Sequence, residues 1–253
     1  MSTAATTVLG IETATELVGT ALGDGTRVLA GLWVTGHRRH AETLGPAVQG
    51  VLERAGRSLA DVDVVAVDVG PGLFTGLRVG VAMAAGLAQG LGAGVLGLGS
   101  LEILAAEALG AGWNGEVLAV VDARRGEVFA GRYRRGARGD PVSVAAPRLC
   151  RPEELMELVG NASGPPVLAI GDGALRYRWI LDSAPSTTVA ESAVCGPRPE
   201  VLVALAQRRL AEGVVPERPV HLRPTYLRDA DVRIGWVTRD PMPAAASPVG
   251  TQT

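Results

Sequence analysis

A chain of 253 residues is long enough for one large domain or two small ones with real cores, and a hydrophobic content of 47% excludes a disordered protein. Its 24 basic and 26 acidic residues nearly cancel to a net charge of −2, which excludes the strongly basic footprint of direct nucleic-acid binding and leaves any RNA contact local or indirect. Cys150 and Cys195 lack CxxC spacing, the start lacks a basic-then-apolar leader, and glycines and Gln89 interrupt the longest apolar run at 79–98; zinc, disulfide framework, signal peptide and a membrane span of ~18 residues are all unexpected, and the chain reads as cytoplasmic.

The chain opens with apolar runs at 7–11, 17–22 and 27–34, read as consecutive strands, the last two joined by a turn at Gly23-Asp24-Gly25. The period then changes. Leu44, Val48, Val51, Leu52 and Ala55 form one helical stripe that Gly56 can stop. A β-branched run at 62–69 reads as a strand buried on both faces. The turn Gly70-Pro71-Gly72 follows, then a helix over 75–91 for which Thr75 is the candidate N-cap. A short strand at 95–98 and a helix at 101–109 complete the first half.

The segment 120–136 repeats the pattern of 9–25: a strand ending in a carboxylate (Glu12, Asp122), a short turn, a second carboxylate (Glu16, Glu127), another strand and a glycine turn. An internal duplication accounts for this, as does chance similarity of two hairpins. Further on come a helix at 152–159, a strand at 166–170 running into Gly171-Asp172-Gly173, a helix at 199–213, a β-like segment at 224–228, and a Pro/Ala/Ser/Thr-rich tail expected to be disordered.

Three features bear on chemistry. Free N–H groups at the glycine-rich start of the 75–91 helix would suit an anion, which makes Gly70, Gly72, Thr75 and Gly76 candidates for anion or nucleotide binding; a tight turn that merely returns the chain to the sheet is the alternative, and neither the Walker pattern nor GxGxxG fits. Glu12 and Asp122 could bind Mg²⁺, orient a water, or cap turns. The helix itself is apolar on two sides, Leu77, Val81, Ala84 and Ala88 on one and Val79, Met83, Gly86 and Gly90 on the other, so a face is left for a second subunit or for a layer of its own fold. His37, His40 and His221 lack metal-site spacing, and neither a GxSxG elbow nor a cysteine–histidine pair is evident.

The segment Gly70-Pro71-Gly72-Leu73-Phe74-Thr75-Gly76-Leu77-Arg78-Val79-Gly80 resembles the Gly-Pro-Gly-Ser-Phe-Thr-Gly-Leu-Arg-Ile-Gly signature of the bacterial TsaB (YeaZ) family. Ile11-Glu12-Thr13-Ala14-Thr15, His40-Ala41-Glu42 with Leu44 and Pro46, Asp122-Ala123-Arg124-Arg125-Gly126-Glu127-Val128-Phe129 and Pro224-Thr225-Tyr226-Leu227-Arg228 are similar to further family motifs in the family's order. The resemblance implies an α/β, actin-like ATPase (ASKHA) fold of two duplicated halves, each a mixed sheet flanked by helices. It divides the chain into 1–105 with the partner-binding helices, 106–235 with 215–230 packing back on the first half, and a disordered tail at 236–253. It implies a non-catalytic subunit of the complex that makes N6-threonylcarbamoyladenosine at position 37 of tRNA. The implied partners are a catalytic TsaD-like paralogue and a small TsaE-like ATPase, with tRNA contacted indirectly and homodimers formed in isolation. Leu44, Val48, Val51, Leu52, Val79, Met83, Gly86 and Leu87 are the expected partner interface. No cofactor is required, and Glu12 in place of Asp, with Thr13-Ala14-Thr15 after it, argues against ATP or ADP with Mg²⁺ as a working ligand; Leu73 in place of Ser removes a loop hydroxyl. The alternative is an ATP-dependent enzyme of the same fold or a glycoprotease-like peptidase.

Overall fold

The structure, a computed structural model, describes residues 5–35, 40–161, 163–191 and 196–227. His37, Cys195, Arg228 and the 236–253 tail lie outside the described residues.

The first sheet takes β1 (Thr7–Glu12), β2 (Val18–Asp24), β3 (Arg27–Val34), β4 (Val64–Gly70) and β5 (Gly94–Gly99) in the order β3-β2-β1-β4-β5. The first three pair antiparallel, whereas β1, β4 and β5 run parallel. The second takes β6 (Glu116–Arg124), β7 (Glu127–Arg135), β8 (Pro141–Cys150), β9 (Val167–Ile170) and β10 (Thr187–Val189) in the order β10-β9-β6-β7-β8. Read from the other edge, this is the same order with the same strand directions. The hairpin similarity between 9–25 and 120–136 is thus the visible part of a duplicated actin-like fold.

Helices α1 (His40–Ala55) and α2 (Phe74–Leu91) cover one face of the first sheet. Leu44, Val48, Val51 and Leu52 of α1 and Val81, Ala84 and Ala88 of α2 pack there with Leu9, Ile11, Leu22 and Val65. Gly92, in the left-handed region at φ 67°, ends α2 where a side chain would be strained. On the opposite face lie α3 (Ser100–Gly110) and, from the far end of the chain, α7 (Pro199–Ala211), whose Leu202, Val203, Leu205 and Ala206 join Val8, Ala21, Val64 and Ala66. Between them in sequence come α4 (Leu155–Val159), α5 (Asp172–Arg176) and α6 (Arg178–Leu181), which belong to the second half.

The residue-105 boundary falls inside α3, which is buried almost all round: Ile103 faces the first sheet, and Leu101, Leu104, Ala105 and Ala108 face Val117, Ala119 and Phe129 of the second. Arg198 Nε lies 2.9 Å from Glu107 Oε1 in an ion pair and Arg209 pairs with Glu102, fastening α7 to α3. After α7 the chain returns along the first half. Glu217 and Val95 exchange backbone hydrogen bonds of 2.9 and 2.8 Å, Thr225 N–H donates to Val69 O at 2.7 Å, and Leu222 enters the core. The β-like segment expected at 224–228 is irregular over its described residues. Among the described residues no helix is long and apolar enough to cross a membrane.

Candidate functional site

The glycine turn follows β4, with a cis peptide between Gly70 and Pro71. Helix α2 begins at Phe74 behind Leu73 as N-cap, so Thr75 lies inside the first turn and is not the cap. Leu73 provides no side-chain capping bond; a Ser, Thr, Asp or Asn there typically contributes ~1 kcal/mol. The concave side of the turn is filled by the chain itself. Leu73 N–H donates to Ala14 O at 2.7 Å, and Thr13 Oγ1 donates to Gly76 O at 2.8 Å. A Cβ on Gly72 would stand 2.1 Å from Ala14 O, one on Gly76 2.1 Å from Thr13 O, and one on Gly80 2.2 Å from Thr13 Oγ1. These glycines let α2 lie directly on the β1–β2 turn. The carbonyl oxygens facing Gly72 and Gly76 disfavour an anion on this side, and the turn serves here as a packing contact.

Beneath this contact sit two carboxyl groups, Glu12 at the end of β1 and Asp68 in β4, both 0% exposed. They stand side by side, because Ile11 pairs with Val67 in the parallel ladder one residue before. Glu12 Oε1 accepts Ala14 N–H at 2.7 Å; Asp68 Oδ1 accepts Gly70 N–H at 2.7 Å and the Ser100 hydroxyl at 2.7 Å. Among the described residues, Glu12 Oε2 and Asp68 Oδ2 are buried with no hydrogen-bond partner. Burial first, and then the Asp68 charge, push the Glu12 carboxyl well above the usual range; burial raises Asp68 to about 6. Asp68 was missed from sequence, although a carboxylate inside an otherwise β-branched buried run, just before a glycine turn, was the available signal.

Asp122 occupies the equivalent of Glu12 and is differently served. Its Oδ1 accepts Arg124 N–H at 2.9 Å, and its Oδ2 lies 3.1 Å from Arg124 Nη1 and 3.3 Å from Arg176 Nη1. Asp172 Oδ1 accepts Asp122 N–H at 2.9 Å, and burial raises the Asp172 carboxyl to about 6. A divalent cation at Asp122 would face two guanidinium groups, and one at Glu12 would need a path through the packed core. These residues do not fit a nucleotide–Mg²⁺ group. Among the described residues no cluster of three or more His, Cys, Asp or Glu is placed to hold a metal. Buried His40 is spent on Thr15 O, 3.1 Å from its Nε2, and Cys150 is buried. A cavity of about 380 Å³ lies at the seam between the halves, against Gly70, Pro71, Leu101, Tyr133 and Leu227, and of the candidate anion residues only Gly70 lines it.

The expected interface residues divide. Leu44, Val48, Val51 and Leu52 are between 0% and 6% exposed and pack on this chain's own sheet, as a single apolar stripe on a helix does. On α2, Val79, Met83 and Leu87 are half-buried and Gly86 is exposed, so its outer face remains open. A Cβ on Gly86, on Gly90 or on Gly45 of α1 would meet nothing within 4 Å. At the N-terminal end of this face, Phe74 and Tyr226 are 50% and 47% exposed with ring centroids 5.4 Å apart, and the Arg78 guanidinium lies 3.8 Å from the Phe74 centroid.

A family model described as "TsaD: tRNA N6-adenosine threonylcarbamoyltransferase" matches residues 35–236. The "tRNA threonylcarbamoyladenosine biosynthesis protein TsaB" of Escherichia coli (strain K12) is 33% identical over 90% of this chain and 96% of its own length. The chain belongs to the TsaB (YeaZ) family. The Bacillus subtilis TsaB is 29% identical over 91% of this chain and 98% of its own length. The solved structure "YeaZ from Pseudomonas aeruginosa" superposes with a TM-score of 0.77 at 29% identity, over 88% of this chain and all of that one (100%). Leu73 stands at the uncapped N-cap of α2, and Glu12 lies beside Asp68 in the core.

Proposed function

We propose that the chain takes part in threonylcarbamoyladenosine modification of tRNA as a non-catalytic subunit, binding and activating a TsaD-like catalytic paralogue through the outer surface of α1 and α2. The observation that carries this reading is the open space around Gly45, Gly86 and Gly90. Each glycine within a helix costs about 1 kcal/mol relative to alanine, and at these three positions the chain's own packing gives nothing in return. Small residues beside half-buried Val79, Met83 and Leu87 suit the close approach of another helix pair. The pairing of Asp122 with Arg124 and Arg176 and the filled glycine turn support a role without catalysis. A small TsaE-like ATPase joins the pair, tRNA is reached through the partner, and without the paralogue the same surface pairs with itself.

Reconstitution of the tRNA modification with and without this chain tests the reading. The activity should require the chain, and Met83→Arg should abolish co-elution with the paralogue while the isolated variant stays folded. Full modification without the chain, or normal co-elution of the variant, overturns it.

A further inference from the structure

Glu12 and Asp68 have no part in partner binding or in any reachable site. Their geometry is nonetheless specific. Both are 0% exposed and adjacent on parallel strands, and each has one oxygen held by a backbone N–H and the other without an outside donor. Among the described residues the groups acting on them are each other, the N–H groups of Thr13, Ala14 and Gly70, and the Ser100 hydroxyl from α3, with no cationic side chain among these. Two adjacent carboxyl groups buried this completely resist being ionised together, because burial and each other's charge both disfavour the second ionisation.

We infer that Glu12 and Asp68 hold one proton between Glu12 Oε2 and Asp68 Oδ2, and that this proton fastens the start of α2, so that the partner-facing helix loosens when the proton is lost. The route is short. Glu12 Oε1 holds Ala14 N–H, and Ala14 O holds Leu73 N–H at the head of α2. Asp68 Oδ1 holds Gly70 N–H, at the other end of the same turn. Deprotonation sets two negative charges against each other exactly where both anchors originate, and the turn relieves the repulsion by moving apart. The proton moves to solvent, and no bond other than the O–H is broken.

The sign follows from linkage. The folded chain keeps a proton that the unfolded chain has released above the ordinary carboxylate range. This contribution to stability is therefore full below that range and is lost as pH rises through the pair's upper titration; across the interval the unfolded-to-folded ratio rises tenfold per pH unit for one proton. Glu12→Gln keeps a donor toward Asp68 without a titratable proton.

The test uses the isolated chain. In the wild type at neutral pH the infrared spectrum should carry the carbonyl stretch of a protonated buried acid, absent in Glu12→Gln. The extra slope of stability against pH should vanish in the variant, as should any fall in exchange protection of the Ala14 and Gly70 amides beyond intrinsic base catalysis. No protonated-acid band in the wild type, which is decisive even if the variant does not fold, overturns the inference, as do equal slopes in the two proteins. The link to the partner rests on the proposed function, but these readouts need no partner, so failure here and failure of co-elution are distinguishable.

Discussion

Glu16 Oε1 lies 2.5 Å from Arg124 Nη2 and joins the β1–β2 turn of the first half to the equivalent β6–β7 turn of the second. The same guanidinium reaches Asp122 Oδ2 through its other nitrogen, so one side chain serves both the seam and a buried carboxylate. Arg124 and Arg125 hold φ values of 63° and 55°, the left-handed region that few residues other than glycine adopt.

The two ends of this bridge should therefore respond unequally. Glu16 is 61% exposed, and an exposed pair contributes about 0–1 kcal/mol, so Glu16→Ala should change stability by no more than about 1 kcal/mol. Arg124→Ala leaves Asp122, only 4% exposed, with Arg176 as its remaining cation, and should cost about 1–3 kcal/mol. Urea unfolding of both variants measures the difference, and equal losses would contradict the assignment.

Glycines of α2 with the same composition should behave in opposite ways. Gly76→Ala places a methyl 2.1 Å from Thr13 O, which is backbone and cannot swing aside, and should destabilise the isolated chain by about 1–3 kcal/mol. Gly86→Ala meets nothing within 4 Å and should stabilise it by about 0.5–1 kcal/mol. On the proposed function, the second variant should nevertheless weaken pairing with the paralogue. Thermal melts of the single chain and titration with the partner separate the two effects.

The two-sided apolar pattern of α2 and the duplicated hairpin were readable because period and repetition are local properties. What covers a face is not local. The stripe Leu44, Val48, Val51 and Leu52 was expected to face a partner, but its pattern alone does not say what covers it, and the β2–β3 surface lies beneath it. Helix α7 was legible from Val201, Leu202, Leu205 and Leu210, but not its seat on β1 and β2, nearly two hundred residues earlier in the chain. Short elements such as α5, α6 and β10 lie below the length at which a period shows. Asp68 went unnoticed because its neighbours announce only burial, while its partner Glu12 lies on another strand.

Tyr226 ties the returning C-terminal segment to α2, its hydroxyl 3.3 Å from Arg78 Nε and its ring beside Phe74. The group is half exposed, where cation–π contacts contribute about 0.5–1 kcal/mol. Arg78→Ala should accordingly cost about 1 kcal/mol or less in global stability, yet increase protease sensitivity near Tyr226. Limited proteolysis followed by mass measurement checks this, and unchanged cleavage would show that Glu217 and Thr225 hold the segment without the clamp.

The pH profile should contain a lower step that Asp172 shares with Asp68, since burial raises both carboxyls to about 6, against an ordinary aspartate in the unfolded chain. A raised folded-state value means that the folded form retains a proton which the unfolded form gives up. The Asp172 contribution is fully present below the ordinary aspartate range and is lost as pH rises toward about 6, changing the unfolded-to-folded ratio by about a hundredfold over the interval. Asp172→Asn removes its own titration while keeping an oxygen for the Asp122 N–H, and should reduce this lower step to the part that Asp68 supplies. The Glu12–Asp68 pair acts through a proton held by a different group, so Glu12→Gln should leave the lower step in place and remove the slope that continues above it. Denaturant midpoints collected across pH for the wild type, the two single variants and the double variant give the answer. If Asp172→Asn retained the full slope below about 6, the step would belong to Asp68 and not to Asp172.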